Sequence, residues 1–132
     1  MKITADTNTF IAVALNEPEK AGIIRLTEGH DVVAPSVLPF EIGNALTAMM
    51  KKHTLEKEEV ASAWEAVQQI PVDLRPTDIV AALEIATKFS IYAYDAYFLQ
   101  CADSLRGPLL TLDGGMRGIA REMGITVLEN IS

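Results

Sequence analysis

Short apolar runs alternate along the chain with longer stretches in which apolar residues recur every three or four positions. The first pattern is typical of buried strands, and the second is typical of one face of a helix. The predicted strands, in chain order, are Lys2–Ala5, Val32–Ala34, Val72–Asp73, Leu109–Leu112 and Thr126–Leu128. Strands separated by helices predict an α/β fold with a mostly parallel sheet of about five short strands.

Five helical stretches follow from the same pattern. They cover, in order, Ser36 to about His53, a stretch around Trp64, one from near Thr77, one that ends at Gly107, and one from Asp113 to Gly124. Ser36 is the expected N-terminal cap of the first helix. In the third helix, one apolar face is expected to point inward, formed by Ile79, Val80, Leu83, Ala86 and Phe89.

The length and composition of the chain fit one domain. With 132 residues, about half of them apolar, the chain is expected to form a single domain over residues 1–132. No apolar run approaches the roughly 18 residues of a membrane helix, and the opening residues lack the pattern of a signal peptide. The single cysteine, Cys101, excludes an internal disulfide and is expected in the core. These features favour a cytoplasmic protein.

The net charge argues against nonspecific binding of nucleic acid and leaves a nuclease activity open. A formal net charge of −7 disfavours a protein that coats nucleic acid nonspecifically, because such binding depends on clustered lysine and arginine. An active site built of carboxylates is compatible with this charge, because the carboxylates contribute to it and bound cations offset them.

Four acidic residues stand out by their positions relative to the predicted elements. Asp6 directly follows the first predicted strand, and Asp113 follows the strand that contains Leu110. In parallel α/β sheets, ligands bind beyond the carboxyl ends of the strands, so both acids fall at the expected active edge. Glu41 interrupts an apolar helix start, where a charge needs a partner or a metal, and Asp95 lies at a predicted helix N-terminus.

Each acid also has an ordinary explanation when it is considered alone. An aspartate after a strand is a common turn residue or helix cap, and Asp95 could equally cap its helix. Acids from four separate regions that converge at one edge favour a functional site instead. Two other α/β classes fit less well. Haloacid-dehalogenase-like phosphatases normally have a second acid at the place of Asn8, and signal receivers have a lysine after a late strand, which this sequence lacks.

The order and setting of these acids resemble the PIN-domain family, and especially the VapC-type toxins of bacterial and archaeal toxin–antitoxin pairs. The matching segments span nearly the whole chain and are Asp6-Thr7-Asn8, the helical Glu41, Tyr94-Asp95-Ala96 and Thr111-Leu112-Asp113. The resemblance implies a three-layer α/β/α sandwich and an endoribonuclease that depends on Mg²⁺ or Mn²⁺. It also implies a homodimer and a cognate antitoxin protein as partner.

Within this resemblance, the four acids are the expected catalytic residues and metal ligands. Asp6 and Asp95 would bind the cation directly, and Asp113 would bind it directly or through water. Glu41 would hold the attacking water or a second ion. Carboxylates without His or Cys ligands suit Mg²⁺ or Mn²⁺ better than zinc. The side chains expected to orient these carboxylates through hydrogen bonds are Thr7, Asn8 and Thr111.

Contacts with the substrate and partners stay open at the level of sequence. Arg117 and Arg121, four residues apart near the last acid, are candidate contacts for RNA phosphates, with solvated surface charge as the alternative. The apolar surfaces around Met49 and Trp64 fit a dimer interface, an antitoxin helix or internal packing equally well.

The sequence differs from many relatives at one position, and two other functions remain open. Many relatives carry a further acid soon after the last motif, whereas Gly114-Gly115-Met116-Arg117 follows Asp113 here, which leaves the number of metal ions open. One alternative is a catalytically inactive PIN-like module that binds proteins. The other is a PIN ribonuclease of RNA processing that has no antitoxin.

Overall fold

Four parallel strands form the central sheet of the protein, which a computed structural model describes over residues 1–129. The strands are β1 (Lys2–Ala5), β2 (Asp31–Pro35), β3 (Asp73–Arg75) and β4 (Leu109–Leu110), in the spatial order β3-β2-β1-β4. Every pairing between neighbouring strands is parallel. The predicted α/β class with a mostly parallel sheet is confirmed.

Seven α-helices flank this sheet in the part of the chain that the structure describes. They are α1 (Thr7–Ala14), α2 (Lys20–Thr27), α3 (Leu38–Lys51), α4 (Val60–Gln68), α5 (Ile79–Phe89), α6 (Ala93–Leu105) and α7 (Gly114–Glu122). Helix α1 packs on α2, α3 and α4, whereas α6 lies against β1 and β2 and contacts α5 and α7. Two helix groups therefore flank the sheet, as expected for the α/β/α sandwich that the resemblance implies.

The hydrophobic core lies between the sheet and the helices. Its largest fully buried apolar side chains come from β1, β2, β4, α3 and α6, and include Ile3, Val33, Ile42, Leu46, Phe98, Leu99, Leu109 and Leu110. Cys101 is buried, as predicted. Met49 and Trp64 are partly buried and pack against this core, so their apolar surfaces serve internal packing. None of the helices within residues 1–129 is both long and apolar enough to cross a membrane.

The strand predictions need four corrections of extent. The second strand is one residue longer at each end, Asp31–Pro35 instead of Val32–Ala34. The third strand lies at Asp73–Arg75 instead of Val72–Asp73, and the fourth ends at Leu110 instead of Leu112. The chain leaves the sheet there because the Thr111 hydroxyl turns to a side chain, Asp6. The predicted strand at 126–128 is reduced to one bridge, between Leu109 and Val127, because its neighbour β4 has only two residues.

The predicted cap at Ser36 is wrong. Helix α3 begins at Leu38 and has no side-chain cap, and Pro39 occupies its first turn, where proline is favoured. The Ser36 hydroxyl instead lies 3.4 Å from the Thr77 hydroxyl.

The predicted inner face of α5 is also wrong for three residues. Ile79, Val80 and Leu83 are exposed by 55%, 71% and 46%. The buried positions are Ala82 and Ala86, because small side chains allow α5 to approach α6 closely. Helix α5 therefore carries an apolar face that nothing in the described chain covers.

Candidate active site

All four predicted acids lie at the N-terminal ends of helices. Asp6 and Asp113 are the N-terminal caps of α1 and α7. Glu41 and Asp95 lie in the first turns of α3 and α6. A helix N-terminus carries a partial positive charge, which favours an ionised carboxylate. Helices α1, α3 and α7 directly follow the neighbouring strands β1, β2 and β4, so parallel strands bring these N-termini to one edge of the sheet.

Asp6 is the most buried of the four acids, with 4% of its surface exposed. Its Oδ1 accepts hydrogen bonds from the Thr9 hydroxyl at 2.7 Å and from the Thr9 backbone N–H at 3.2 Å. Its Oδ2 accepts a hydrogen bond from the Thr111 hydroxyl at 2.5 Å. The backbone N–H of Asp6 donates to the Leu110 carbonyl at 3.2 Å, which fixes Asp6 to the end of β4. Both carboxylate oxygens are therefore held by donors from two segments of the chain.

Thr111 connects Asp6 to Asp113. Its hydroxyl donates to Asp6 and accepts a hydrogen bond from the Asp113 backbone N–H at 3.0 Å. The Asp113 carboxylate caps α7 by accepting from the backbone N–H groups of Gly115 and Met116. The predicted role of Thr111 in orienting a carboxylate therefore has a direct geometric basis.

The acids also influence one another electrostatically. Burial raises the pKa of Asp6, and the charge of Asp113 raises it further, while hydrogen bonds from Thr111 and Thr9 lower it. Burial raises the pKa of Asp95, and the charges of Asp113 and Asp6 add to this effect. For Glu41, burial raises the pKa, followed by the charge of Asp95 and then by that of Asp6. All four acids therefore belong to one electrostatic cluster.

This cluster is looser than a complete metal-ligand shell. Among residues 1–129, no three His, Cys, Asp or Glu side chains lie close enough together to hold one metal ion. The buried Thr7 hydroxyl makes no hydrogen bond of normal geometry within the described chain, although it lies near enough to Glu41 to lower the pKa of that carboxyl. Asn8 lies exposed in the first turn of α1. The acids therefore meet at electrostatic range around an edge where the buried Thr7 hydroxyl lies near Glu41.

The donor set fits a hard divalent cation. Its groups are carboxylates and hydroxyls, and Mg²⁺ keeps several waters while it binds one or two carboxylates directly. Burial and, to a lesser extent, mutual repulsion raise the pKa values of Asp6, Glu41 and Asp95, and a positive ion would offset both effects.

The two arginines near the last acid differ in their surroundings. Arg117 is half-buried, and its Nη1 donates to the carbonyl of Thr111 at 3.3 Å, the residue whose hydroxyl contacts Asp6. Arg121 is exposed and pairs with Glu129. The structure therefore ties Arg117 to the backbone of Thr111 and pairs Arg121 with Glu129 on the surface of the protein.

Sequence reasoning missed Thr9. Its side chain is buried and contacts Asp6 directly. The available signal was the spacing Asp-x-x-Thr at the start of a helix, in which the third residue after an N-cap lies beside it. That signal required helix α1, which the apolar pattern did not predict.

Comparison with protein families gives a match that includes all four acids. The family model of the PIN domain matches residues 3–122. The chain is 23% identical over 118 residues to Ribonuclease VapC3 of Pyrobaculum aerophilum. The aligned region covers 86% of this chain and 90% of that protein.

Solved structures share the fold. A crystal structure of PAE2754 from Pyrobaculum aerophilum matches with a TM-score of 0.71 and 20% identity, and covers 96% of this chain and 92% of that one. VapBC2 from Rickettsia felis, bound to a DNA fragment from their promoter, matches with a TM-score of 0.69 and 12% identity, over 97% of this chain and 98% of that one. At these identities, the structures support the fold assignment.

Proposed function

This chain belongs to the PIN-domain family, and from that membership we propose that it is an endoribonuclease that hydrolyses RNA phosphodiester bonds with Mg²⁺ or Mn²⁺. The observation that carries the proposal is one electrostatic cluster of acids from four separate regions of the chain, Asp6, Glu41, Asp95 and Asp113. Similarity to Ribonuclease VapC3 supports RNA as the substrate.

We assign each acid a role in binding metal or water from its burial and position. A bound Mg²⁺ or Mn²⁺ would activate water and neutralise charge that develops on the phosphate. Asp6 and Asp95 would hold the cation directly, and Asp113 would hold it directly or through water, because its carboxylate also caps α7. Glu41 is half-buried beside Asp95 and would orient the attacking water or hold a second ion. Thr7 and Asn8 follow Asp6 in the first turn of α1 and would help to orient these carboxylates.

Arg117 would contact the RNA backbone. Its guanidinium has five N–H donors, of which the bond to the Thr111 carbonyl uses one. A planar guanidinium can bind phosphate in a bidentate manner, and its positive charge would offset the charge of a substrate that approaches four acids. Arg121 would add a weaker contact, because it must leave Glu129 to reach RNA.

RNA cleavage by the purified chain tests this function. Labelled single-stranded RNA should be cut in Mn²⁺ and remain intact in chelator. Asp95→Asn should reduce the cleavage rate at least about tenfold, because the loss of a group that only supports a metal ligand already costs that much. Asp103 is an exposed acid on the same helix, and Asp103→Asn should cleave like wild type.

Equal cleavage by wild type and Asp95→Asn would remove this site from the reaction. An intact, metal-insensitive protein without cleavage would favour the protein-binding module.

A cognate antitoxin is the proposed protein partner, in a type II toxin–antitoxin pair. An open cleft of about 880 Å³ lies beside α1 and α2 and offers a largely apolar lining. Its apolar side chains include Phe10, Val13, Ile23, Ile24, Ile70 and Val72. An amphipathic helix of the antitoxin would fit such a cleft. We also place the protein in the cytoplasm, where its RNA substrate and antitoxin would be available.

A homodimer completes the proposal. Large apolar side chains are exposed near the N-terminal ends of α3, α5 and α6, and include Phe40, Ile79, Val80, Tyr92 and Tyr94. Exposed apolar patches of this kind mark interaction surfaces. A second copy would cover this face with the same residues, as in a two-fold interface.

A further inference from the structure

The start of α1 holds the most buried acid by both of its carboxylate oxygens. A carboxylate offers about four lone-pair sites, two on each oxygen. The Thr9 hydroxyl and the Thr9 backbone N–H occupy two sites on Oδ1 of Asp6. The Thr111 hydroxyl occupies one site on Oδ2. One site therefore remains, and it belongs to Oδ2.

From this arrangement we infer that Thr9 is a positioning residue, which reserves Oδ1 of Asp6 for the protein and leaves Oδ2 as the oxygen that binds the cation. This inference rests on the proposed function, because it concerns the same metal site. It goes beyond that function by assigning one oxygen of one ligand and by naming a residue that orients it.

Burial makes this orientation a property of Thr9 itself. Thr9 has 2% of its surface exposed, and its hydroxyl lies 2.7 Å from Oδ1 of Asp6 and 3.4 Å from the Leu110 carbonyl. Because water has little access there, no solvent molecule readily replaces the hydroxyl as a donor. Loss of the hydroxyl would leave Oδ1 with the longer bond from the Thr9 backbone N–H alone, at 3.2 Å, and would hold the orientation of the carboxylate less tightly.

A purely structural role would have a different consequence. The backbone N–H of Thr9 already caps α1 through Asp6, so the hydroxyl adds a second bond to the same oxygen. If that bond served only the helix, its removal would lower the melting temperature in chelator and leave the affinity for a cation unchanged. Affinity for the metal therefore separates the two roles.

Titration of the purified full-length chain with MnCl₂, read by calorimetry and by the rise in melting temperature, tests the inference. Thr9→Val removes the hydroxyl at nearly constant volume and should weaken Mn²⁺ binding about tenfold or more. Thr9→Ser keeps the hydroxyl and should bind within about threefold of wild type. Thr4→Val is the matched control, because Thr4 is equally buried and its hydroxyl contacts Cys101 at 3.8 Å, away from the acids. It should bind Mn²⁺ like wild type.

The outcomes separate this inference from the proposed function. If wild type binds Mn²⁺ and Thr9→Val binds it equally well, the inference fails and the metal site stands. Equal weakening in Thr9→Val and Thr9→Ser would also overturn it, because the hydroxyl would then not be the cause. If wild type itself shows no response to Mn²⁺, the proposed function fails. Should Thr9→Val not fold, Thr9→Ala takes its place, and failure of both to fold would overturn the inference in favour of a structural role.

Discussion

At the scale of the residue, Asp6 combines burial with charge. A buried carboxylate loses hydration, and nearby acids repel its charge, so both effects raise its pKa. Three hydrogen bonds and the N-terminus of α1 offset part of this cost. If Asp6 binds a cation as proposed, it would do so at the expense of the stability of the free protein, which is the usual compromise at a metal site.

Replacement of Asp6 by asparagine tests this compromise. Asparagine caps helices about as well as aspartate and removes the buried charge. Asp6→Asn should lose RNA cleavage and should melt no lower than wild type in chelator. Asp31→Asn, an exposed acid at the start of β2, should change neither property. A large loss of stability in Asp6→Asn would show that Asp6 is mainly a structural cap.

The pH dependence of stability follows from the same pKa shifts. The pKa values of Asp6, Glu41 and Asp95 are raised in the fold above the ordinary values of 3.8 for aspartate and 4.5 for glutamate, so the folded state binds protons more tightly than the unfolded state. Their contribution is therefore fully present below the unfolded pKa values and is lost as pH rises through the folded ones. In chelator, the melting temperature of wild type relative to Asp6→Asn should fall as pH rises above the ordinary pKa of an aspartate, about 3.9. A difference that stays constant with pH would contradict the raised pKa of Asp6.

The residue scale also shows what sequence could predict. The positions after strands singled out Asp6 and Asp113, because parallel strands end at one edge whatever their exact lengths. Glu41 and Asp95 were singled out by their positions at the starts of helices, and the helix that carries Asp95, α6, follows another helix. Thr9 escaped notice because its role depends on helix α1. The first turn of that helix is rich in threonine and asparagine, which have low helix propensity.

At the scale of the element, a two-residue strand positions half of the site. β4 pairs with β1, and the Pro108 carbonyl accepts a hydrogen bond from the Thr4 backbone N–H at 3.0 Å. Thr111 follows β4 directly and reaches Asp6. Apolar periodicity predicted β4 as a longer strand because Leu112 continues the run, and the contact of Thr111 with a distant side chain was not visible in the local pattern.

Gly107 is the position that allows β4 to approach β1. A Cβ atom at Gly107 would lie 2.4 Å from the Lys2 carbonyl oxygen, which is part of the backbone of β1. Gly107→Ala should therefore lower the free energy of unfolding by about 1–3 kcal/mol, as overpacking commonly does. Gly118→Ala on α7, where a Cβ atom meets nothing within 4 Å, should instead be neutral or slightly stabilising. Denaturant titration of both variants checks this, and equal stability of the two would contradict the account.

At the scale of the whole molecule, the apolar face of α5 was predicted to pack into the core, whereas the structure leaves it exposed. The pattern in α5 correctly predicted a helix, but three of its larger apolar residues, Ile79, Val80 and Leu83, are exposed. Amphipathic spacing marks a face that becomes buried without revealing what buries it. A partner can satisfy the same pattern as well as the core of the chain itself.

Disruption of this face should change the oligomeric state. Val80→Lys adds a charge to a residue that is 71% exposed, so the fold should tolerate it while the proposed dimer should dissociate. Thr87→Lys, an exposed position near the other end of α5, should remain dimeric. Sedimentation equilibrium of wild type and both variants gives the masses. A wild-type monomer, or a dimer that survives in Val80→Lys, would contradict the proposed interface.

Diffraction from crystals grown with Mn²⁺ tests the central claim most directly, because the anomalous signal locates the ion itself. The account predicts a peak between the N-terminal ends of α1, α3, α6 and α7, in contact with Oδ2 of Asp6 and with Asp95. The same crystals of Asp95→Asn should show a weaker peak or none. A protein that cleaves RNA in Mn²⁺ while its ion binds elsewhere, or binds at Oδ1 of Asp6, would contradict the account.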